Sequence, residues 1–403
     1  MTAPATLIAD YANGRLYIDP RILFTRASGG SYFDHRGIMR QALPNYPRLD
    51  YDSLTGRVMG ILLEGPRTNE LSWCADYTNA VWAKVESVVL PNAVASLDGT
   101  VSAGKVVEAD TFGNHGISYA RNGSNETVTG SIFAKSAERS KIRLDFYNGA
   151  GDACGAYFDL AAGTITFVDG ATPDYTAPAA TIRAHANGWY RCCFTATKGT
   201  GSTSNSFRAM LLNDAGGAVY TGTGNTGLYM DRAQVEIGNF ASSHIFTTST
   251  SMARAGDSMA FTDVRWVNPV EGTLFAEVAV RDTSATRVPF ILWDGTSSNR
   301  IQFHANNAVM FTSVGGVSQG TIGPNGGVTP FVHAKMVGRY RQNDIALAVN
   351  GVIYPDTVAD IPPITGARFG GLSASGSSLF GWLRKASYVP RGLDNVSLQA
   401  LSF

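Results

Sequence analysis

FTRASGGSYFDHRGIMRQALPNYPRLDYDSLTGRVMGILLEGPRTN, residues 24–69, interrupts its apolar patches with Gly, Pro, Asn and Asp at short intervals. Ser28-Gly29-Gly30, Arg36-Gly37, Pro44-Asn45 and Thr55-Gly56 are turn signals, so no helical period survives and the segment is extended. It holds too few consecutive apolar residues to bury a core alone. Its strands must lie against a following domain or against copies of themselves.

The rest of the chain sets the limits around that stretch. Its 403 residues suffice for two or three domains with cores of their own. Thirty-two basic residues balance thirty-two acidic ones, so no overall field draws it to nucleic acid or to an anionic membrane. Charged residues are 16% of the chain, below the roughly 25% usual in soluble domains. With 44 glycines, this composition suits short strands joined by tight turns. No apolar run reaches the roughly 18 residues of a membrane span, and the opening MTAPATLIADYANG lacks the basic start and apolar stretch of a secretory signal. Cys74, Cys154, Cys192 and Cys193 show no paired spacing, and neighbours on a strand point to opposite faces, so buried free thiols made in a reducing cytoplasm are expected.

Read in order, residues 1–23 form a small hairpin or oligomer-pairing arm, with Asn13-Gly14 between Tyr11 and the alternating Leu16 and Ile18. Its Tyr11, Leu16, Tyr17 and Ile22 need cover from another chain, and its deletion is expected to spare the later domains. Residues 24–70 form an extended connector, in which Arg48, Asp50, Asp52, Glu64 and Arg67 are either an ion-pair set or solvated turn charges. Residues 71–262 carry evenly spaced strands. Val128, Gly130, Ile132 and Ala134 alternate with largely polar partners, as do Ile142, Leu144 and Phe146, which gives each sheet a dry and a wet face. Residues 263–403 form a second module, opening on Leu274, Ala276, Val278 and Val280 in alternation, with Asp294-Gly295 and Asn350-Gly351 as hairpin turns.

Several stretches carry a family resemblance. Arg26-Ala27-Ser28, Tyr32-Phe33-Asp34, PRLDYD at 47–52, Thr55-Gly56, Leu62-Leu63-Glu64 and Arg67-Thr68-Asn69 together resemble a segment recurrent in bacteriophage tail-fibre and receptor-binding proteins, where it precedes a carbohydrate-binding-module-like jelly roll. WCADYTNAVW at 73–82 resembles that module's opening, AYFDLAAGT at 156–164 its hairpin, NGWYRC at 187–192 its characteristic strand, and LYMDRAQVEIG at 228–238 its final strand. GTLFAEV at 272–278, HAKMVGR at 333–339, LAVNG at 347–351 and FGWLRKASY at 380–388 resemble a concanavalin A-like, laminin-G-like sandwich, whose ending supports a short final helix capped by Asp394 or Asn395. The resemblance implies an all-β chain, with arm and connector followed by two antiparallel sandwiches, a jelly roll and then a concanavalin A-like domain. It also implies a virion tail protein made in the host cytoplasm, a homotrimer, joined to other tail proteins and attaching without catalysis to host-surface glycan or another receptor.

Sugar recognition needs an aromatic platform against the C–H face of a pyranose and planar polar side chains for its hydroxyls. Tyr147, Asn148, Asp152, Tyr119 and Arg121 are the ligand-binding candidates of the first module, and Trp293, Arg300, His304 and Tyr340 those of the second. Trp189, inside a strand with Tyr190 and Cys192, is assigned to the core. A structural Ca²⁺ is common in jelly rolls, and Asp231, Glu236 and Asp110 could contribute ligands, although no dense carboxylate loop exists and no other cofactor is expected. Catalytic motifs are absent. Glu271 and Glu277 lie about 20 Å apart by strand rise, too far for a glycosidase pair, which leaves His304 with Tyr340 or Arg339 as a lyase option. A capsule or lipopolysaccharide depolymerase is the alternative, and a tail spacer that recognises nothing is the third.

Overall fold

The alternating strands assemble into two antiparallel β-sandwiches in the computed structural model, which describes residues 6–10, 17–356, 359–371 and 377–403. The first pairs a six-stranded sheet (Ser87–Ala95, Val101–Glu108, Gly227–Ile237, Glu126–Ser136, Tyr190–Lys198, Tyr175–Ala184, in spatial order) with a second sheet of six. That second sheet runs Thr164–Val168, Ala153–Asp159, Lys141–Tyr147, Ser206–Leu211, His115–Tyr119, Trp82–Val85. The alternate residues Val128, Ile132, Ala134, Ile142, Leu144 and Phe146 all fall in the core between them, as period-two patterning requires.

The second sandwich does not begin at residue 263. One of its sheets includes Thr6–Asp10, paired along Gly381–Val389, and Val58–Leu63, paired to the same strand further along. The opposing sheet ends on Ser258–Phe261 and Ile22–Thr25. The expected assembly arm is therefore a structural part of this sandwich. Phe24, Ile61, Leu63 and Met259 lie in its core, and Ile22 packs against it, so the cover these residues need comes from the same chain. The Tyr11, Asn13-Gly14 and Leu16 of the expected hairpin lie outside the described residues, but its flanking strands do pair, Ala9 opposite Ile18. The first sandwich is thus an insertion between two strands of the second. Arg67–Asn69 and Met252–Arg254 pair antiparallel at its base, so the chain leaves and returns at one point.

The connector ties the two bodies together. Its hairpin of Gly30–Phe33 and Met39–Ala42 lays Phe33 and Met39 onto Phe133 and Trp189, on the outer face of the first sandwich. Trp189 is accordingly structural, with its indole N–H donated to the Ala95 carbonyl at 3.2 Å. Arg48 and Glu64 form an ion pair at 2.9 Å with no solvent exposure, and Asp257 binds Arg26 at 3.0 Å and Arg48 at 2.6 Å. Arg254 and Arg281 close on Glu64 at 3.1 and 3.3 Å. The remaining connector charges go elsewhere: Asp52 pairs with Arg183 of the first sandwich at 2.6 Å, and Arg67 lies between the rings of Phe240 and Phe380.

Local expectations met varied outcomes. Asn350-Gly351 is a two-residue hairpin turn with φ of 46° and 85°, as its sequence requires. Asp294-Gly295 is instead part of a wider loop, because the Asp294 carboxylate binds Thr296 and Asn299 and holds residues 294–299 open. The helix Asn395–Leu401 is capped by Asp394, which accepts the Ser397 N–H at 2.7 Å. All four cysteines are buried and free.

Candidate functional site

The first-module candidates are engaged in holding their own loops. Asn148 accepts the N–H groups of Ala150 and Asp152 and donates to Asp174, and Asp152 accepts from Thr172 and from the Asp174 N–H. Arg121 is paired with both Glu70 and Glu126, and the Tyr119 hydroxyl accepts the Ser72 N–H while its ring abuts Trp82. Tyr147 carries the Arg208 guanidinium 4.2 Å above its ring.

The second-module candidates divide. Tyr340 is fully buried, bonded to the Asn268 carbonyl at 2.6 Å and to the Tyr388 hydroxyl at 2.9 Å, so it belongs to the core and has no face to offer a ligand. Trp293, Arg300 and His304 share one outward face, because Trp293 is opposite Arg300 and alternate residues of Arg300–His304 point the same way while Ile301 and Phe303 fill the core. Gln302 and Phe311, opposite each other, join that face unforeseen. His304 stacks on Phe311 at 5.7 Å, Arg300 lies 5.1 Å from the same ring, and burial pushes the His304 imidazole down to about 4, so it is neutral at pH 7.

A groove on the first sandwich carries the fuller set of sugar-binding chemistry. About 390 Å³ in volume, it is lined by Trp73 and Phe246 together with Asp76, Asp98, Thr100, Ser102, Arg232 and Thr247. Trp73 is half-buried, lies in none of the apolar cores, and donates its indole N–H to no described residue. Phe246 is 45% exposed. Trp73 and Arg232 both hold left-handed backbone, with φ of 50° and 49°, a strain of about 1–3 kcal/mol each that concentrates at functional sites. Arg232 sits in Gly227–Ile237 beside a register shift against Glu126–Ser136, which turns its side chain out between Asp98, at 2.5 Å, and the ring of Phe246. Trp73 was legible only as part of the module's opening; its place outside any alternating run was the available signal. Asp98 is held below the usual carboxylate range, against its partial burial, by Thr100 and Arg232, whereas burial raises Asp231.

A second concavity, of about 360 Å³, lies where both sandwiches meet the connector. Arg183, Arg191 and Arg281 line it with Asp50, and the rings of Phe33, Phe133, Phe331 and Trp382 supply its apolar walls. Burial holds the His185 imidazole there down to about 3 and His244 well below its ordinary value. Among the described residues no cluster of three or more His, Cys, Asp or Glu is arranged to hold a metal ion; Asp231 and Glu236 are instead bonded to Ser96 and Ser242.

No protein-family model matches this chain, and no curated protein does. Among solved structures, mouse laminin alpha1 chain, domains LG4-5, is similar over 83% of this chain and 92% of that chain, at 11% identity and a TM-score of 0.22.

Proposed function

We propose that this chain is an attachment component of a bacteriophage tail that binds host-surface glycan without cleaving it. The phage context is what the connector and module resemblances imply; the glycan reading is carried by the Trp73 groove, where an accessible indole, an exposed phenyl ring, a guanidinium and the hydroxyl side chains of Thr100, Ser102 and Thr247 line one concavity. An aromatic face takes the apolar side of a pyranose, and planar polar groups fix its hydroxyls. Assembly into a trimer on the tail would turn weak single contacts into firm attachment through effective concentration. Trp73→Ala is expected to weaken binding of purified protein to host polysaccharide about tenfold, roughly 1.4 kcal/mol, with the melting temperature unchanged. Equal binding by the variant would refute the assignment, and absence of binding by the parent protein would favour a spacer.

One observation favours the depolymerase reading: Asp98 and Asp231 have acidities pushed apart, as an acid and a base require. Asp231 is only 1% exposed and bonded to Ser96, which favours binding over cleavage. Release of reducing ends from host polysaccharide, abolished in Asp231→Asn, would decide for the enzyme.

A further inference from the structure

We propose that the cavity between the two sandwiches and the connector binds a small ring-shaped organic anion, of the class of a carboxylate-bearing monosaccharide. Charge carries the first half of the inference. Three guanidiniums line the cavity and Asp50 is the one carboxylate among its lining residues. Both oxygens of Asp50 are already engaged, one by the Phe33 N–H at 2.7 Å and the other by the Trp382 indole at 2.8 Å. Arg191 meets only neutral oxygens, the Ser242 carbonyl and the Ser131 hydroxyl, and its Nε has no partner. Arg281 faces Glu64 through its Nε at 3.3 Å, but that carboxylate is shared with Arg48 and Arg254. Arg191 therefore has no carboxylate of its own and Arg281 only ones shared with other groups, a costly arrangement that an anion in the cavity would relieve.

Shape and lining carry the second half. About 360 Å³ lies within the roughly 300–1,000 Å³ of small-molecule sites. Arg183 lies 4.1 Å from the Phe331 ring centre and Arg281 4.6 Å from that of Trp382, so guanidinium and aromatic faces are presented side by side. Phe331 holds a left-handed φ of 65°, a strained backbone that places its ring against Trp382 at 5.4 Å. Ser53 and Ser243 also line it, with their hydroxyls bonded to the His185 ring and to Glu64. Arg183, 31% exposed, stands on the solvent side.

That the ring is a sugar rests on the glycan reading; that the ligand is an anion does not. Calorimetric titration of the full chain with glucuronate, glucose, benzoate and sulfate tests both. Saturable binding of glucuronate, with glucose at least about tenfold weaker, is expected. Arg183→Gln should cost about tenfold, and Ala241→Phe, which fills the cavity without altering charge, should abolish the heat. Trp73→Ala should leave glucuronate binding intact, so failure of the groove and failure of the cavity are distinguishable. No glucuronate binding, equal binding of glucose, or binding unaffected by both cavity variants overturns the proposal. Binding of benzoate or sulfate alone overturns the saccharide assignment.

Discussion

Arg48 shows how one side chain can join two bodies. Its guanidinium has no solvent exposure and bonds Glu64, Asp257, the Ser243 hydroxyl and the Ser31 carbonyl, which belong to the connector, the first sandwich's exit and the second sandwich's approach. Removing it takes a shared cation from two buried carboxylates, leaving Asp257 to Arg26 and Glu64 to Arg254 and Arg281, so Arg48→Met is expected to lose about 3 kcal/mol in urea unfolding. Histidines give a second residue-scale expectation. Burial holds His185 to about 3, and His304 and His333 to about 4. Between the ordinary value near 6.5 and those values the unfolded chain takes up protons that the folded chain refuses. Stability therefore falls on acidification by up to about 1.4 kcal/mol per pH unit for each such group. Urea midpoints at pH 7 and pH 5 should show this loss, and His185→Gln should reduce it by one group's share. Sequence showed that Arg48 and Glu64 were charged neighbours of turns; it could not show that they pair in a dry interior, because the partners Asp257 and Arg254 come from roughly two hundred residues away.

At the scale of elements, alternation named the strands well and their neighbours poorly. Lys141–Tyr147 and Glu271–Val280 follow from period two, and the Asn350-Gly351 turn follows from the left-handed angles both residues accept. Thr6–Asp10 and Ile22–Thr25 gave no hint that they close the sheets of a sandwich most of whose other strands lie beyond residue 257. Deleting residues 1–25 is thus expected to destabilise the second sandwich and spare the first. Two-phase thermal unfolding, with only one transition shifted, checks this; two unchanged transitions would contradict it. The Trp293–Arg300–His304 face is the part of the candidate site that strand phase alone could assemble, since alternate residues share a side.

For the whole molecule, the insertion makes a specific expectation about autonomy. Asn69 is opposite Met252, so the chain ends left by removing residues 70–251 are adjacent. The remainder, closed by a short Gly/Ser turn, should fold as a β-sandwich by circular dichroism, with lowered stability because the Phe33 and Met39 face loses its partner. The excised segment carries a complete apolar core and should fold alone. A remainder without cooperative unfolding would show that the sandwiches are interdependent.

The all-β class and the buried free thiols were determined by the sequence itself, through local period, turn chemistry and spacing, and the two sandwiches and the capped final helix were legible through motifs that resemble known modules. The order of strands in the second sandwich, the shared ion network, the cavity between the bodies and the Trp73 groove were decided only by tertiary structure. Each of these joins residues far apart in the chain, and local patterning carries no record of which distant segment will fill a sheet edge or neutralise a charge.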